Sequence, residues 1–241
     1  VTITIEDLTA ASSTVNVSGP DNLTLTGTHE IGTLNAASLA GVLTMTVSAA
    51  SDAITGGTGA DVFTMTDVDL VLDGGGGNDT LTMDSTIDSS NNTVSFASIE
   101  VIQLDSSNNG TETFTVLGSD VSGQSISLKG GTTADDTLEI ETDSTTTDLS
   151  GISVDTTSAN ILIDLAGTAA LANTITGTNG ADTTSGVTTG AITIDSGAGA
   201  DTIILGSGND AVTAGEGIDI VDTGAGTDTV VFTETTAAHD T

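Results

Sequence analysis

The chain has 241 residues, of which 34 are Asp or Glu and only one is Lys or Arg, so its formal charge at pH 7 is −33. Such a surface repels phosphates and anionic headgroups, which argues against nucleic acid or an acidic membrane as a partner. Cysteine is absent and no apolar run reaches about 18 residues, so the sequence predicts neither disulfides nor a membrane-spanning helix.

The remaining composition favours short strands and tight loops. Apolar residues make up 36% of the chain and aromatic residues 2%. The abundant Thr and Val favour strands, and Gly, Asn and Asp favour turns, so the sequence predicts an all-β protein. Because 34 acids face a single basic residue, a cation from solution must neutralise them, and a divalent metal is the simplest candidate.

The first predicted region, residues 1–51, is rich in β structure and alternates apolar and polar residues. Its strand-like segments are VTITI (1–5), NLTLT (22–26) and VLTMTV (42–47). Only LNAASLAG (34–41) predicts a turn or two of helix. The chain begins at Val1 with no leader-like segment, so we expect an excised or processed piece of a protein.

Residues 52–82 contain a nine-residue repeat with the copies GGTGADVFT (56–64) and GGGGNDTLT (74–82). Glycines at its second and fourth positions allow positive φ or close backbone approach, and the Asp at the sixth position places a carboxylate in the turn. The eighth position carries an apolar side chain for the core, Phe63 or Leu81. The intervening MTDVDLVLD (65–73) loses the glycines and the Asp but keeps Leu72 at the eighth position, which predicts an unbroken solenoid lacking a metal loop there.

Residues 83–172 lack the repeat but return to strand-like segments. These are SIEVIQL (98–104), TETFTVL (111–117), SISLK (125–129), DTLEIE (136–141) and NILIDL (160–165). An irregular β-helix without metal loops fits them best, because a solenoid exposes strand edges only at its ends. A separate β-sandwich is the alternative.

Residues 173–232 carry five further copies, and a tail follows at 233–241. Upstream of the first copy, Ile175 keeps the core position while Asn173 replaces the Asp. Thr178 replaces one glycine, and an extra residue between Asp182 and Asp201 predicts a bulge. The copies are GTNGADTTS (177–185), SGAGADTII (196–204), LGSGNDAVT (205–213), AGEGIDIVD (214–222) and TGAGTDTVV (223–231).

The spacing of the aspartates predicts how they stack. Three pairs lie two repeats apart in the sequence: Asp61 with Asp79, Asp201 with Asp219, and Asp210 with Asp228. If one coil takes two repeats, the members of each pair lie directly above one another, at the strand spacing of about 4.8 Å. Two carboxylates and several loop carbonyls then form an all-oxygen site, which suits Ca²⁺ with its contacts of about 2.3–2.6 Å.

These nonapeptides resemble the repeat of the RTX family, Gly-Gly-x-Gly-x-Asp-x-apolar-x. The resemblance covers residues 52–82 and 173–232. It implies a parallel β-roll or β-helix solenoid, type I secretion, and several Ca²⁺ ions as cofactors. A flexible Gly/Asp linker would not need the apolar eighth position. The residues that match the metal-binding loops of the family are Asp61, Asp79, Asp182, Asp201, Asp210, Asp219, Asp228, Gly57, Gly59, Gly75, Gly77, Gly180, Gly197, Gly199, Gly206, Gly208, Gly215, Gly217, Gly224 and Gly226.

Motifs for catalysis are weak. His29-Glu30 begins like a zinc-protease helix, but Thr33 stands where the second His would be. No nucleophile elbow and no Walker lysine frame occurs. We therefore expect no catalytic residue and no enzyme.

The composition is most similar to that of bacterial RTX surface-layer proteins. This similarity implies a structural protein on the outer surface of a Gram-negative-type bacterium, where Ca²⁺ folds the chain and assembles it into a lattice. The expected partner is the chain itself, with a cell-surface polysaccharide bound through another domain, and with neither nucleic acid nor membrane insertion. The alternatives are the stalk of an RTX adhesin or extracellular matrix protein, and the RTX accessory domain of a type I secreted enzyme.

Overall fold

The computed structural model describes most of the chain as β structure. The described residues are 2–6, 9–26, 30–47, 52–66, 70–83, 86–88, 94–104, 112–130, 136–143, 145–154, 159–164, 173–185 and 191–233. They form two compact units, residues 1–114 and residues 115–241. His29 of the weak zinc-protease motif lies outside the described residues, as do residues 234–241 of the predicted tail.

The first unit is a parallel solenoid in which successive strands alternate between two sheets. One sheet holds β1, β3, β5, β7, β9 and β12, and the other holds β2, β4, β6, β8 and β11. The strands of this unit are β1 (Thr2–Glu6), β2 (Thr9–Gly19), β3 (Asn22–Thr26), β4 (Glu30–Leu39), β5 (Leu43–Val47), β6 (Asp52–Thr55), β7 (Val62–Met65), β8 (Leu70–Asp73), β9 (Thr80–Met83), β10 (Ile87–Asp88), β11 (Val94–Ala97) and β12 (Val101–Leu104).

The second unit repeats this arrangement, with β15, β18, β20, β22 and β24 in one sheet and β16, β19, β21, β23 and β25 in the other. Strand β14 pairs with β17. The elements from the unit boundary onward are β13 (Thr113–Leu117), α1 (Gly118–Val121), β14 (Ile126–Lys129), β15 (Asp136–Glu141), β16 (Thr146–Asp148), β17 (Ile152–Val154), β18 (Ala159–Asp164), β19 (Asn173–Thr176), β20 (Asp182–Ser185), β21 (Ile192–Asp195), β22 (Thr202–Ile204), β23 (Ala211–Thr213), β24 (Ile220–Asp222) and β25 (Thr229–Val231).

The pairings confirm the predicted fold class, an all-β parallel solenoid. Every pairing assigned between described strands of either unit is parallel, including β9 with β12, of which only β9 belongs to a repeat, and β15 with β18 outside the repeats. An antiparallel sandwich does not fit these pairs. Among the described residues, no helix is long and apolar enough to cross a membrane.

The eighth position of the repeat forms the core of both units, as its apolar character predicts. Phe63 pairs with Leu81 in one sheet and Ile54 with Leu72 in the other, and all four are at most 3% exposed. The two sheets thus take alternate repeats, so one coil consists of two nonapeptides. Burying a side chain of this size contributes about 1.5–3 kcal/mol, which makes these ladders the main apolar contribution to stability in the repeats.

The segment LNAASLAG (34–41) is not helical, contrary to the expectation. Residues 34–39 belong to β4, whose Leu34 pairs with Val15 and whose Asn35 side chain donates to the Asn16 side chain at 3.2 Å. The neighbouring coil offers a complete row of backbone hydrogen-bond partners. These outweigh the small helix preference of a short Ala-containing segment.

Candidate metal centre

The repeat loops lie at the turns between the two sheets of each unit. In the first unit, loops 56–61 and 74–79 both lead from one sheet into the other, before β7 and β9. In the second unit, loops 177–181, 196–201 and 214–219 lie on one edge, before β20, β22 and β24. Loops 205–210 and 223–228 lie on the opposite edge, before β23 and β25. The coils therefore carry one stack of loops in the first unit and two in the second.

The glycines are needed because successive loops touch through their backbones. Gly75 has φ +88° and Gly77 has φ +138°, and a Cβ on either would overlap the carbonyl oxygen of Gly57 or Gly59 in the preceding coil. An L-residue with a side chain fits neither the conformation nor the space. The same left-handed conformation occurs at Gly197, Gly199, Gly215, Gly217, Gly224 and Gly226. It does not occur at Gly57, Gly59, Gly180, Gly206 and Gly208, which belong to the first loop of each stack.

The aspartates of the first unit form a hydrogen-bonded ladder along the stack. Asp61 accepts from the Leu43 N–H through Oδ1 at 2.7 Å, and its own N–H donates to Asp79 Oδ1 at 2.7 Å. The N–H of Asp79 in turn donates to Glu100 Oε2 at 2.8 Å. Each rung thus joins the backbone of one coil to a carboxylate of the next.

The second unit has the same ladder on each edge. On one edge, the Asp182 N–H donates to Asp201 Oδ1 at 2.8 Å, and the Asp201 N–H donates to Asp219 Oδ1 at 2.9 Å. On the other edge, the Asp210 N–H donates to Asp228 Oδ1 at 2.9 Å, while the Ile192 N–H donates to Asp210 Oδ1 at 2.8 Å. The predicted pairs are therefore stacked, and the ladder passes over the extra residue between Asp182 and Asp201.

Several of these carboxylates keep one oxygen without a donor. Asp79, Asp201 and Asp210 are at most 2% exposed, and the Oδ2 atom of each is buried without a hydrogen bond. The Ser196 hydroxyl, which is close to Asp201, donates its hydrogen to the Ala214 carbonyl at 2.6 Å. An unsatisfied buried acceptor costs about 1–3 kcal/mol, more if charged, and a cation removes that cost.

Carbonyl oxygens of the next coil also lie close to the carboxylate of the first aspartate in two of the stacks. At Gly56, the position of an added Cβ lies 2.6 Å from Asp61 Oδ2 and close to the carbonyl oxygen of Gly74 in the next coil. At Gly177, the corresponding position lies 2.7 Å from Asp182 Oδ2 and close to the carbonyl oxygen of Ser196. The glycine at the first position therefore leaves a small space lined by oxygens from two coils.

The donor set fits a hard divalent cation. The nearest polar atoms at these positions are carboxylate and carbonyl oxygens, and Ca²⁺ takes six to eight oxygen ligands in flexible geometry. Within the described ranges, no three acidic, His or Cys side chains converge on one point. Backbone carbonyls and water would therefore complete the coordination of an ion held by the stacked aspartates.

The electrostatics of the stacks also favour a cation. The pKa of Asp79 is raised to about 6, mainly by burial and in part by the neighbouring carboxylates, against the hydrogen bond from the Asp61 N–H, which lowers it. Burial is likewise the main cause that raises the pKa of Asp182 to about 7 and of Asp201 to about 6, each with a further contribution from the next carboxylate in its stack. Burial raises the pKa of Asp61 as well. A bound divalent ion would favour the charged forms and reverse these shifts.

Aspartates at equivalent positions of the repeat differ in their hydrogen-bond partners and burial. Asp182 accepts from the Thr178 N–H through Oδ2 at 2.7 Å and from the Thr178 hydroxyl through Oδ1 at 2.8 Å. Asp61 accepts from the Leu43 N–H through Oδ1 and from the Gly57 N–H through Oδ2, at 2.7 and 2.6 Å. The first aspartate of these two stacks is thus satisfied within the protein. Asp228 lies in the last loop and is only half-buried.

Glu100 is a member of the ladder that the repeat pattern does not include. Its segment Glu100-Val101-Ile102 matches Asp79-Thr80-Leu81 as an acid, any residue, and an apolar residue, and β12 pairs with β9 in this register. That three-residue match is the only signal in the sequence, because no glycines precede Glu100.

Comparison with known proteins agrees with this geometry. The family model for the RTX calcium-binding nonapeptide repeat matches in 4 copies, at residues 44–64, 71–84 and 195–230. The copy at 177–185, with Thr178 in place of glycine, lies outside the matched residues. No curated protein matches the chain, and no solved structure does.

Proposed function

Because this chain carries RTX calcium-binding nonapeptide repeats and binds several Ca²⁺ ions through them, we propose that it is a calcium-dependent structural segment of a bacterial surface layer. RTX repeats are typical of secreted proteins, which supports an extracellular location. In this proposal Ca²⁺ first folds the repeat coils and then joins neighbouring copies of the chain into a lattice. No catalytic residue is assigned.

The observation that carries the proposal is the stack of buried aspartates with unsatisfied oxygens. Asp79 in the first unit, and Asp201 and Asp210 in the second, would hold the ions together with loop carbonyls of adjacent coils. A bound ion supplies positive charge that neutralises two stacked carboxylates and links their coils. Binding to the folded form alone stabilises that form by mass action.

The charge on the surface extends the argument to assembly. Exposed acids include Asp73, Asp195 and Asp222, and the whole chain has a single Lys, Lys129. Two such surfaces in contact repel by roughly 1 kcal/mol for each close exposed pair in bulk water. A shared divalent ion turns this repulsion into attraction, so contact between copies would require Ca²⁺.

Electron microscopy and light scattering of the purified chain against Ca²⁺ concentration test this assembly. We expect sheets or filaments with Ca²⁺ and none in about 0.5 M NaCl, which screens charge without bridging it. A chain that folds with Ca²⁺ but stays monomeric at high concentration would contradict the surface-layer role. That result would favour an adhesin stalk or an accessory domain of a secreted enzyme.

A further inference from the structure

The turn at residues 98–100 occupies the place of a third repeat loop in the first unit. Gly74 N–H donates to the Ala97 carbonyl at 2.9 Å, as Gly56 N–H donates to the Asp73 carbonyl at 2.7 Å one coil earlier. The turn ends on an acid that accepts from the Asp79 N–H, as Asp79 accepts from the Asp61 N–H. It therefore repeats both ends of the loop at 74–79 while omitting the glycine-rich middle.

Ser98 directs its carbonyl into this place through an unusual backbone conformation. Its φ is +53°, and it is the one non-glycine residue with positive φ among the described parts of the chain. A serine in the left-handed region is strained by about 1 kcal/mol relative to ordinary conformations. In return, the Ser98 carbonyl oxygen approaches Gly74 as the Gly74 carbonyl approaches Gly56.

An unsatisfied carboxylate oxygen faces the same space. A Cβ on Gly74 would lie 2.8 Å from Asp79 Oδ2 and close to the Ser98 carbonyl oxygen. Asp79 is fully buried and its Oδ2 has no hydrogen-bond partner. The Glu100 carboxylate is half-buried and uses Oε2 for the Asp79 N–H. Two oxygens from two coils, Asp79 Oδ2 and the Ser98 carbonyl, thus face one small space next to loop 74–79, and the Glu100 carboxylate is held beside Asp79 by the hydrogen bond from its N–H.

We propose that Asp79 Oδ2, the Ser98 carbonyl oxygen and the Glu100 carboxylate hold a further Ca²⁺ ion between the last repeat loop of the first unit and a coil without the repeat. This inference rests on the proposed calcium binding and deepens it, because it assigns two residues outside the repeat, Ser98 and Glu100, as ligands of the ion held by Asp79. Water enters from the exposed loop residues 75–78 and completes the coordination, since Ca²⁺ takes six to eight oxygens. The ion closes the open end of the stack, where no further glycine loop follows.

The test is the number of Ca²⁺ ions bound by the full chain, measured by equilibrium dialysis with radioactive Ca²⁺. Glu100→Gln keeps an oxygen for the Asp79 N–H and removes the negative charge. We expect this variant to bind one ion fewer than the wild type. Glu139→Gln is the matched control, because Glu139 is also half-buried and accepts from the Thr115 hydroxyl at 2.9 Å, and it should bind the full number.

Equal stoichiometry and affinity in Glu100→Gln and the wild type would overturn the site and leave Glu100 as a hydrogen-bond acceptor only. If the wild type binds no Ca²⁺ at all, calcium binding by the repeats is refuted instead. If Glu100→Gln does not reach the wild-type circular dichroism spectrum, crystals of the Ca²⁺-saturated wild type decide the question. Anomalous calcium density between Asp79 and Glu100 supports the site, and its absence there refutes it.

Discussion

In Asp79, Asp201 and Asp210 the two carboxylate oxygens have different environments. Oδ1 accepts from the backbone N–H of the preceding coil, as in Asp79, Asp201 and Asp210, and so connects coils without any metal. In these same residues Oδ2 is buried and unsatisfied. One oxygen therefore holds the stack together, and the other gives it its requirement for a cation.

Asp201→Asn separates these two contributions. The amide oxygen still accepts from the Asp182 N–H, but the negative charge of the site is lost. We expect the Ca²⁺ concentration at the folding midpoint to rise by about tenfold or more, because a hydrogen-bonded charge contributes roughly 1.5–3 kcal/mol. Calcium titrations followed by circular dichroism measure the shift. Asp195→Asn, at an exposed position in the same unit, is the control, and an equal shift there would contradict a local site.

At the scale of strands, the inward apolar side chains form the core, whereas the loops supply the groups for metal binding. In the second unit Ile194, Val212 and Val230 form one ladder through β21, β23 and β25. Ile194 and Val212 are each 2% exposed, whereas Val230 is only half-buried because β25 is the last described strand of its sheet. Strands of three residues offer one inward side chain each, so a single substitution removes the whole apolar contribution of that strand.

Val212→Asp should therefore unfold the repeats of the second unit at any Ca²⁺ concentration. A charge buried without a partner is destabilising by roughly 3 kcal/mol or more, which saturating Ca²⁺ in the loops does not offset. Val231→Asp is the matched control, since Val231 is 46% exposed and should tolerate the charge. Urea unfolding in saturating Ca²⁺ measures both variants. Restoration of Val212→Asp by more Ca²⁺ would show that the ladder is not an independent source of stability.

At the scale of the whole chain, we expect the repeats of the two units to depend on calcium to different degrees. The coils of the first unit bury large side chains beside the repeats, including Leu25, Met45, Phe63, Leu81 and Met83, all at most 2% exposed. Residues 191–233 bury mainly one apolar residue for each nonapeptide, and Ile218, Ile220 and Phe232 are about half exposed, at 59%, 53% and 49%. With less apolar burial, this part must take more of its stability from bound ions.

Removal of calcium should accordingly unfold residues 191–233 of the second unit before the repeats of the first unit. In excess chelator we expect amides of 191–233 to exchange hydrogen at nearly unprotected rates, while those of β7 and β9 remain protected. Hydrogen-exchange mass spectrometry with and without Ca²⁺ measures both regions in one sample. Equal loss of protection in β7, β9 and residues 191–233 would contradict the expectation that weaker apolar burial makes residues 191–233 more dependent on calcium.

The nine-residue period by itself determined the solenoid, the stacking and the metal. Because one coil takes two repeats, residues such as Asp61 and Asp79, or Phe63 and Leu81, must meet in adjacent coils once the pattern is regular. Within each repeat, the glycines then indicate the loop, the aspartate indicates a metal ligand, and the apolar residue at the eighth position indicates the core. These conclusions need only the spacing of glycines, aspartates and apolar residues along the sequence.

Only the tertiary structure decided which groups each loop meets in the coils above and below. It leaves Asp79 Oδ2 without a donor, brings Glu100 into the ladder, and draws Leu34 into a strand. Each of these contacts depends on a neighbouring coil, and outside the repeats the length of a coil is not periodic. The sequence could not indicate them because hydrogen-bond satisfaction depends on which backbone groups stacking brings within about 3 Å of each side chain.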